Sequence, residues 1–498
     1  MSQSSEHAPA ANDITVGSVL RSPALLTREC LAGVITALAL IPEVISFSVI
    51  AGVDPKVSLV ASVVLCLTLS ILGGRPAMVT AAAGSVALVI GPMVHVHGVE
   101  YILPAVILGG IIQIIFGLAG LSRMMRYIPR SVMLGFVNAL GILIFFAQVP
   151  HVWGQSGLVW VLFAVTLAIV LLLPKILKSV PSPLVAIVAV TGVALLLGYR
   201  VPNVGDEGPM SSGLPGFNTL LVPFNLQTLQ IVWPTALSIA FVGLMESLLT
   251  AKLVDDITDT PSGKRRESWA LGVGNILAGF YGGIAGCAMI GQTIVNVELG
   301  KARTRISTIA AGIVLLLLVT GLSQIMAQIP MVVLAAIMMV VAVKTVNWHS
   351  LQPATLKRMP WSETSVMVLT VVVTVWTGNL ALGVLIGVIL AMMLFARRIA
   401  HVIHAERKLS DDGEQVYYTV RGPLFFGSSN DLFEHFDYGH DPKTVTIDLT
   451  HAQIWDASSV AALDAIEYRY QRHGATVTVI GLDNRSSDFR DRLSGNLG

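Results

Sequence analysis

The sequence predicts a polytopic α-helical membrane protein with a small soluble α/β domain at its C-terminal end. Of its 498 residues, 54% are hydrophobic and only 12% are charged, and the mean hydropathy is +0.76. A soluble protein carries about twice that charged fraction. Apolar segments recur between residues 30 and 398, and a membrane helix needs about 20 such residues. The net charge of +1 gives no electrostatic reason to expect a nucleic-acid partner.

The apolar segments predict fourteen membrane spans, and an even number places both termini on the same side. With the N-terminus inside, nearly all Lys and Arg residues of the loops fall on the inner side, whereas the outer loops hold only Lys56 and Arg200. This asymmetry is the one that the positive-inside rule requires, so it predicts cytoplasmic termini. The predicted spans are 30–52, 56–73, 77–95, 101–121, 128–149, 157–174, 182–199, 232–253, 267–284, 288–299, 304–326, 330–348, 363–380 and 382–398.

The spans divide into two related halves of seven, separated by a polar loop at 200–225. An odd number of spans per half forces the halves into opposite orientations. The third span, which begins near 75–85, and the tenth, which begins near 286–293, are both short and rich in small residues. Short or Gly/Pro-interrupted segments at matching positions of two inverted halves indicate the binding site of a transporter.

Two acids lie where apolar residues are expected. Glu43 lies within the first span of one half, and Glu246 lies within the first span of the other. A carboxylate at bilayer depth costs several kcal/mol unless it is paired, hydrated or protonated, so it is a functional-site hypothesis by default. Helix packing by a buried carboxyl group is the alternative for both residues.

The ends of the chain differ from the membrane region. Residues 1–14 are polar and predict a disordered tail, and residues 15–400 form the predicted membrane domain. Residues 401–498 predict the soluble domain, with strands at 414–420, 444–449 and 475–480 and a helix at 457–472. The order of strands and helices suits a small mixed sheet with helices on one face.

Several motifs resemble the sulfate permease (SulP) family, also called solute carrier family 26, in its prokaryotic members. The C-terminal region is similar to a STAS domain, the sulfate transporter and anti-sigma-factor antagonist module. The motifs that carry the two resemblances are 42–43, 246–251, 255–256, 282–296, 300 and 303–307 for the membrane region, and 445–449 and 456–463 for the STAS domain.

The resemblance implies a seven-plus-seven inverted repeat with a core part and a gate part. The half-helices of spans 3 and 10 would meet at the membrane midplane after two short strands. It also implies transport of a small anion, a homodimer, a cytoplasmic STAS domain and a location in the bacterial inner membrane. No nucleotide loop, triad spacing or metal cluster occurs, and Cys30, Cys66 and Cys287 are scattered. The sequence therefore predicts no enzyme, cofactor or metal.

On this resemblance, the two half-helix N-termini form the anion site, since a helix N-terminus presents unpaired N–H groups and a partial positive charge. Small side chains there let an anion approach the backbone. The residues predicted to line the site are Thr80, Ala81, Ala82 and Ser85 on one side, and Ile290, Gly291, Gln292 and Thr293 on the other.

Anion uptake also requires a coupled cation, because an inside-negative membrane opposes it by about 2.3 kcal/mol per charge per 100 mV. The sequence predicts proton coupling through Glu43 and Glu246, with Glu43 taking the coupled proton. In the alternative, Glu246 binds sodium together with Thr250, since residues four apart share a helix face.

The substrate is left open by the sequence. Carboxylates or dicarboxylates, for example fumarate, are favoured because the site lacks arginine. Sodium-coupled transport of bicarbonate or sulfate is one alternative. A second alternative is an uncoupled anion channel or exchanger. A third is a membrane-anchored signalling protein that acts through its STAS domain.

Overall fold

A computed structural model describes residues 14–120, 127–176, 182–198, 200–210, 213, 216–217, 221–223, 225–400 and 403–495. Residues 1–13 of the predicted tail (1–14) lie outside the described residues. The chain forms two compact units, residues 1–387 and 388–498. The last membrane helix crosses this boundary.

The described residues of the first unit form helices, turns and two short strands. Seven helices of the described residues are long and apolar enough to cross a membrane, and five shorter ones are also apolar. Its elements are α1 (Val16–Arg21), α2 (Pro23–Ala51), α3 (Pro55–Leu72), β1 (Thr80–Ala82), α4 (Gly84–His97), α5 (Ile102–Leu118), α6 (Arg130–Gln148), α7 (Gly157–Ile176), α8 (Ser182–Leu196), α9 (Leu226–Thr258), α10 (Lys264–Gly279), β2 (Gly286–Ala288), α11 (Ile290–Ile294) with a π-helical turn (Val295–Leu299), α12 (Arg305–Gly321), α13 (Ser323–Met326), α14 (Met331–Thr345), α15 (Trp348–Leu351), α16 (Pro353–Arg358), α17 (Trp361–Thr377) and α18 (Leu380–Ala400).

Each predicted span coincides with one of these helices, but several boundaries differ. The helix predicted at 30–52 begins at Pro23, because Ser22 caps its first turn and proline suits the first helical position. The helix predicted at 232–253 runs from Leu226 to Thr258, because Asn225 caps it and its polar end residues continue the helix beyond the apolar stretch. Hydropathy locates the membrane-embedded part of a helix, not its ends.

The two strands pair with each other in the middle of the membrane unit. The pairing is antiparallel, with Thr80 opposite Ala288, Ala81 opposite Cys287 and Ala82 opposite Gly286. All six residues are buried. Each half-helix begins two residues after the end of a strand, α4 after β1 and α11 after β2. The pairing therefore brings their N-terminal ends to the same part of the unit.

The outer edges of this two-stranded sheet bond to side chains of neighbouring helices. The Ser62 hydroxyl accepts from Ala82 N–H at 3.1 Å, and the Ser247 hydroxyl accepts from Ala288 N–H at 3.0 Å. Asn275 on α10 accepts from Gly286 N–H at 2.8 Å and donates to the Gly286 carbonyl at 3.2 Å. In a membrane every buried backbone group needs such a partner, so these side chains make the short sheet possible.

The end of α3 is held by two arginines. Arg305 donates to the carbonyls of Ser70 and Gly73 at 2.8 and 2.6 Å, and Arg266 donates to the Leu72 carbonyl at 2.8 Å. These carbonyls have no partner within the helix, and positive charge is stabilising at a helix C-terminus. The contacts fix the loop that leads into β1.

The second unit contains a four-stranded sheet in the order β3-β4-β5-β6. β3 and β4 are antiparallel, whereas β4, β5 and β6 are parallel. The helix predicted at 457–472 is found with the same limits, capped by Asp456. The elements are β3 (His404–Leu409), β4 (Gln415–Leu424), α19 (Ser429–Phe433), β5 (Thr444–Ile454), α20 (Ala457–Arg472), β6 (Thr476–Ile480) and α21 (Asn484–Leu493).

A buried carboxylate links three elements of this unit. Both Tyr418 on β4 and Tyr470 on α20 donate a hydrogen bond to Asp441 Oδ2 at 2.6 Å. Arg407 on β3 binds Asp441 Oδ1 at 2.7 Å, and the Asp441 side chain is fully buried. Burial, together with the hydrogen bond to Asp441, raises the pKa of both tyrosines. Their hydroxyl groups therefore stay protonated and donate.

Replacement of Asn275 by alanine is expected to destabilise the membrane unit by ~2 kcal/mol, because buried backbone groups of β2 lose their partner. The measurement is the thermal unfolding midpoint of the purified full-length protein in detergent. Gln227→Ala, which removes an exposed amide on α9, is the control and should leave the midpoint unchanged. Equal midpoints for the two variants would contradict the role of Asn275.

Replacement of Asp441 by alanine is expected to destabilise the second unit by ~3 kcal/mol, since two buried hydroxyls and a guanidinium lose their acceptor. Pulse proteolysis of the full-length protein in urea measures this as an earlier loss of the C-terminal fragment. Asp491→Asn, at an exposed position of α21, is the matched control. If the Asp441→Ala protein resists proteolysis at the same urea concentrations as the wild type, the prediction is wrong.

Candidate functional site

A cavity of about 920 Å³ lies in the membrane unit between α2, α4, α6, α8, α9, α11 and α14. Phe47, Phe136 and Leu140 form part of its apolar wall. Its polar lining residues are Glu43, Ser85, Ser182, Glu246, Gln292, Lys344 and Thr345. The cavity thus combines apolar walls with a few polar groups, which is the usual composition of a small-molecule site.

Glu246 is held at the wall of this cavity by donors from both halves of the membrane unit. Ser85 of α4 donates its hydroxyl hydrogen to Glu246 Oε2. Cys287 of β2 donates its thiol hydrogen to the same oxygen at 3.0 Å. The Glu246 residue is only 7% exposed. Two donors on one oxygen fix the orientation of the carboxyl group and offset part of the cost of burying its charge.

Glu43, on α2, also lines the cavity and is half-buried. Its carboxyl group interacts with the side-chain amide of Gln292 and lies close enough to Glu246 for the two charges to repel. Among the described residues, Oε1 of Gln292 is buried without a hydrogen-bond partner. Glu43 therefore has fewer stabilising donors than Glu246.

The starts of the two half-helices are open to this cavity. Neither Ala83 before α4 nor Met289 before α11 supplies a side-chain cap. A Cβ atom on Gly291 would meet no described atom within 4 Å, whereas one on Gly84 would lie 2.5 Å from the Phe47 ring. Gly291 therefore leaves space in the cavity, and Gly84 permits close packing.

The structure places the predicted site residues in two groups. One group lines the cavity: Glu43, Ser85, Glu246, Ile290, Gly291 and Gln292. The other lies behind it and is absent from the lining that the described residues form: Thr80, Ala81, Ala82, Thr250 and Thr293.

The second group makes backbone contacts instead. Thr80, Ala81 and Ala82 form β1. The Thr293 hydroxyl accepts from Val79 N–H at 3.0 Å. The Thr250 hydroxyl donates to the Glu246 and Ala288 carbonyls at 2.8 and 3.3 Å.

Cys287 and Lys344 are among the residues at or beside the site that were not predicted from the sequence. The sequence pattern indicates no role for Cys287, which is buried and whose thiol contacts Glu246. Its place in the short segment just before a half-helix is the signal that could have identified it. Lys344 is an exposed residue in the last turn of α14 that lines the cavity. Its position at the end of an apolar span is the corresponding signal.

Comparison with protein families identifies the chain. The sulfate permease family matches residues 26–159 and 155–370, and the STAS domain matches residues 407–489. The chain belongs to the sulfate permease family. The membership and the fold class predicted from the motifs are confirmed.

Individual relatives agree with this assignment. The chain is 46% identical to the putative sulfate transporter YbaR of Bacillus subtilis (strain 168), with 94% of this chain and 97% of that protein covered. It is 25% identical to the bicarbonate transporter BicA of Picosynechococcus sp., with 88% and 86% covered. Its fold is similar to murine Slc26a9, an anion transporter solved in the inward-facing state, with a TM-score of 0.82, 16% identity and coverage of 98% and 92%. The protein is therefore a multi-pass membrane protein of an anion-transporter family.

Replacement of Gly291 by valine is expected to raise the KM for the transported anion about tenfold, which corresponds to ~1.4 kcal/mol of lost binding. The Cβ atom of the new side chain meets no described atom within 4 Å, so the fold should persist. Uptake kinetics in liposomes measure the effect. Gly192→Val, at a helical glycine that also has open space around it, is the control. An unchanged KM for Gly291→Val contradicts this placement of the substrate.

Proposed function

We propose that this protein is a secondary active transporter that imports a small anion together with a proton. The observation that carries the proposal is the cavity at the starts of both half-helices, which contains two carboxyl groups close to each other. Membership of the sulfate permease family supports the transport of an anion. The two carboxyl groups supply a protein site that binds and releases a proton.

The proton is assigned to Glu43. Two neighbouring carboxylates in a low-dielectric cavity do not both remain ionised, because like charges disfavour the second ionisation. Glu246 has two donors on one oxygen, whereas Glu43 contacts one amide. Glu43 is therefore the carboxyl group that exchanges a proton with solvent, and its proton offsets the charge of the imported anion.

The substrate class that fits best is a carboxylate or dicarboxylate, for example fumarate. Lys344 is the one basic residue in the lining formed by the described residues, and it lies at the end of α14. The uncharged polar residues of the lining offer hydrogen bonds rather than positive charge; they are Ser85, Ser182, Gln292 and Thr345. Sulfate and bicarbonate are the alternative substrates, because relatives of this chain carry those names.

Sodium coupling is the second candidate, and the contacts of Thr250 bear on it. Its hydroxyl is buried and donates to two backbone carbonyls. The Glu246 carboxylate bonds instead to Ser85 and Cys287. Thr250 is absent from the cavity lining that the described residues form, so a sodium ion shared by Glu246 and Thr250 would lie behind the cavity, whereas Glu43 and Glu246 both line it. An uncoupled channel or exchanger is disfavoured because a carboxylate in the cavity repels a permeating anion.

We also place the cavity opening on the cytoplasmic side. Its lining includes Ile35, Ser182, Leu299 and Lys344, which all lie at predicted inner ends of spans. The proposal includes both termini in the cytoplasm, a location in the bacterial inner membrane and a homodimer. It assigns transport to residues 15–400 and a STAS domain to residues 401–498.

Glu43→Gln is expected to abolish anion accumulation driven by a pH gradient while anion exchange continues, because exchange needs no net proton movement. The measurement uses the full-length protein in liposomes, with radiolabelled fumarate, sulfate and bicarbonate tested in turn. Glu298→Gln, at an exposed glutamate, is the matched control and should accumulate the anion as wild type does.

The same liposomes test the alternatives. Full pH-driven accumulation by Glu43→Gln overturns the assignment of the proton to Glu43. Accumulation by wild type that responds to a sodium gradient alone transfers the coupling role to Glu246 and Thr250. Anion flux that dissipates but never accumulates against a gradient identifies a channel.

A further inference from the structure

The first part of the loop between the two halves is folded against the membrane unit. The sequence predicts this loop on the outer side, and we call its residues 200–210 the outer strap. A 3₁₀ turn in the strap, Val204–Asp206, begins after Asn203, whose side chain accepts from Asp206 N–H at 3.2 Å. Val204 is fully buried. The strap is therefore a packed element of the unit and not only a connection.

The strap is hydrogen-bonded through its backbone to the turn between α13 and α14. Three bonds join them: Val204 N–H to the Ile329 carbonyl at 3.0 Å, Gly205 N–H to the Ala327 carbonyl at 2.8 Å, and Met331 N–H to the Pro202 carbonyl at 2.9 Å. Buried backbone groups that lose their partners cost free energy. α14 in turn packs against α6, α7 and α8. We therefore expect the strap and this group of helices to move as one body.

The strap also touches the start of α3, which belongs to a different group of helices. A Cβ atom on Gly208 would lie 2.4 Å from Oδ1 of Asp54 and 3.1 Å from its Cα atom. Among residues 14–120 and 200–210, which the structure describes, no hydrogen bond joins the strap to Asp54. α3 packs against α10, α12 and β1. A contact of packing alone thus connects the strap to the helices around the two-stranded sheet.

We propose that the outer strap is a latch that moves with α14 and separates from Asp54 when the cavity opens to the outside. The inference rests on the proposed transport, in which the cavity opens to the cytoplasmic side in this structure. Asp54, the strap and the α13–α14 turn all lie in predicted outer loops, at the opposite side. Alternating access moves one bundle of a transporter against the other. The contact without hydrogen bonds is the one that separates, because no backbone group loses a partner there.

Two pairs of introduced cysteines test which contact has to separate. Asp54→Cys with Gly208→Cys joins the strap to α3, whereas Gly205→Cys with Ala327→Cys joins it to the α13–α14 turn and is the matched control. The Cβ atoms of a disulfide lie about 3.5–4.5 Å apart. A Cβ atom on Gly205 would lie 3.3 Å from that of Ala327, and the Gly208 contact is similarly close. The full-length protein carries Cys30→Ser as well, because Cys30 is a half-buried free cysteine.

Uptake of radiolabelled sulfate, bicarbonate and fumarate into liposomes is measured before oxidation, after it and after reduction. Oxidation of the strap–α3 pair is expected to stop uptake, and a reductant should restore it. Oxidation of the control pair should leave uptake at the rate of the reduced protein. Uptake that continues through the cross-linked strap–α3 pair, or that stops with the control pair, overturns the proposal. Failure of either pair to form a disulfide overturns the placement of the strap.

A second readout needs no transported anion. Gly291→Cys adds a thiol to the cavity, and a membrane-impermeant maleimide outside right-side-out vesicles reaches it only when the cavity opens outward. The oxidised strap–α3 pair should prevent this labelling, and the oxidised control pair should not. A thiol that stays unlabelled without any cross-link, or is labelled equally with the strap–α3 cross-link, overturns the latch. Labelling that follows the prediction in a protein that transports no anion overturns the proposed function and leaves the latch intact.

Discussion

The antiparallel pairing of β1 with β2 is the contact on which the membrane unit depends. Each strand has three residues, and all six are buried. A membrane interior provides no water for unpaired backbone groups, so strands of this length persist only if they pair with each other and with side chains. Ser62, Ser247 and Asn275 complete that pairing. The site exists because this small sheet holds two half-helix starts together.

The pairing also restricts which residues fit. A Cβ atom on Gly286 would lie 2.0 Å from the Ala81 carbonyl oxygen, so the strand needs glycine there. Small residues in these segments therefore have two separate causes. Gly84 and Gly286 are small because something packs against them, whereas Gly291 borders open space. The structure shows which glycine is required for close packing and which one borders the cavity, whereas the sequence shows only that both are glycine.

Much of the fold follows from the sequence, and the exceptions have physical causes. The spans can be recognised in the sequence because a helix that crosses the bilayer needs about 20 apolar residues. α20 can be recognised because Asp456 caps an amphipathic segment. β3 was not predicted, because His404–Leu409 is a largely exposed edge strand without the apolar alternation of a half-buried strand. The second unit therefore contains one strand more than the pattern indicated.

Less of the site than of the fold can be predicted from the sequence. Glu43 and Glu246 are visible because a carboxylate in an apolar span is costly. The sequence does not show which nearby hydroxyl bonds to the backbone and which faces a ligand. Thr293 accepts from a backbone N–H, whereas Ser85 donates to Glu246. Both residues lie near a half-helix start, so only the three-dimensional pairing separates them. Buried polar groups are nearly always hydrogen-bonded, so a hydroxyl in the cavity binds an anion only if it gives up an existing partner. A hydroxyl whose partner is another side chain of the cavity can make this exchange without breaking a backbone hydrogen bond.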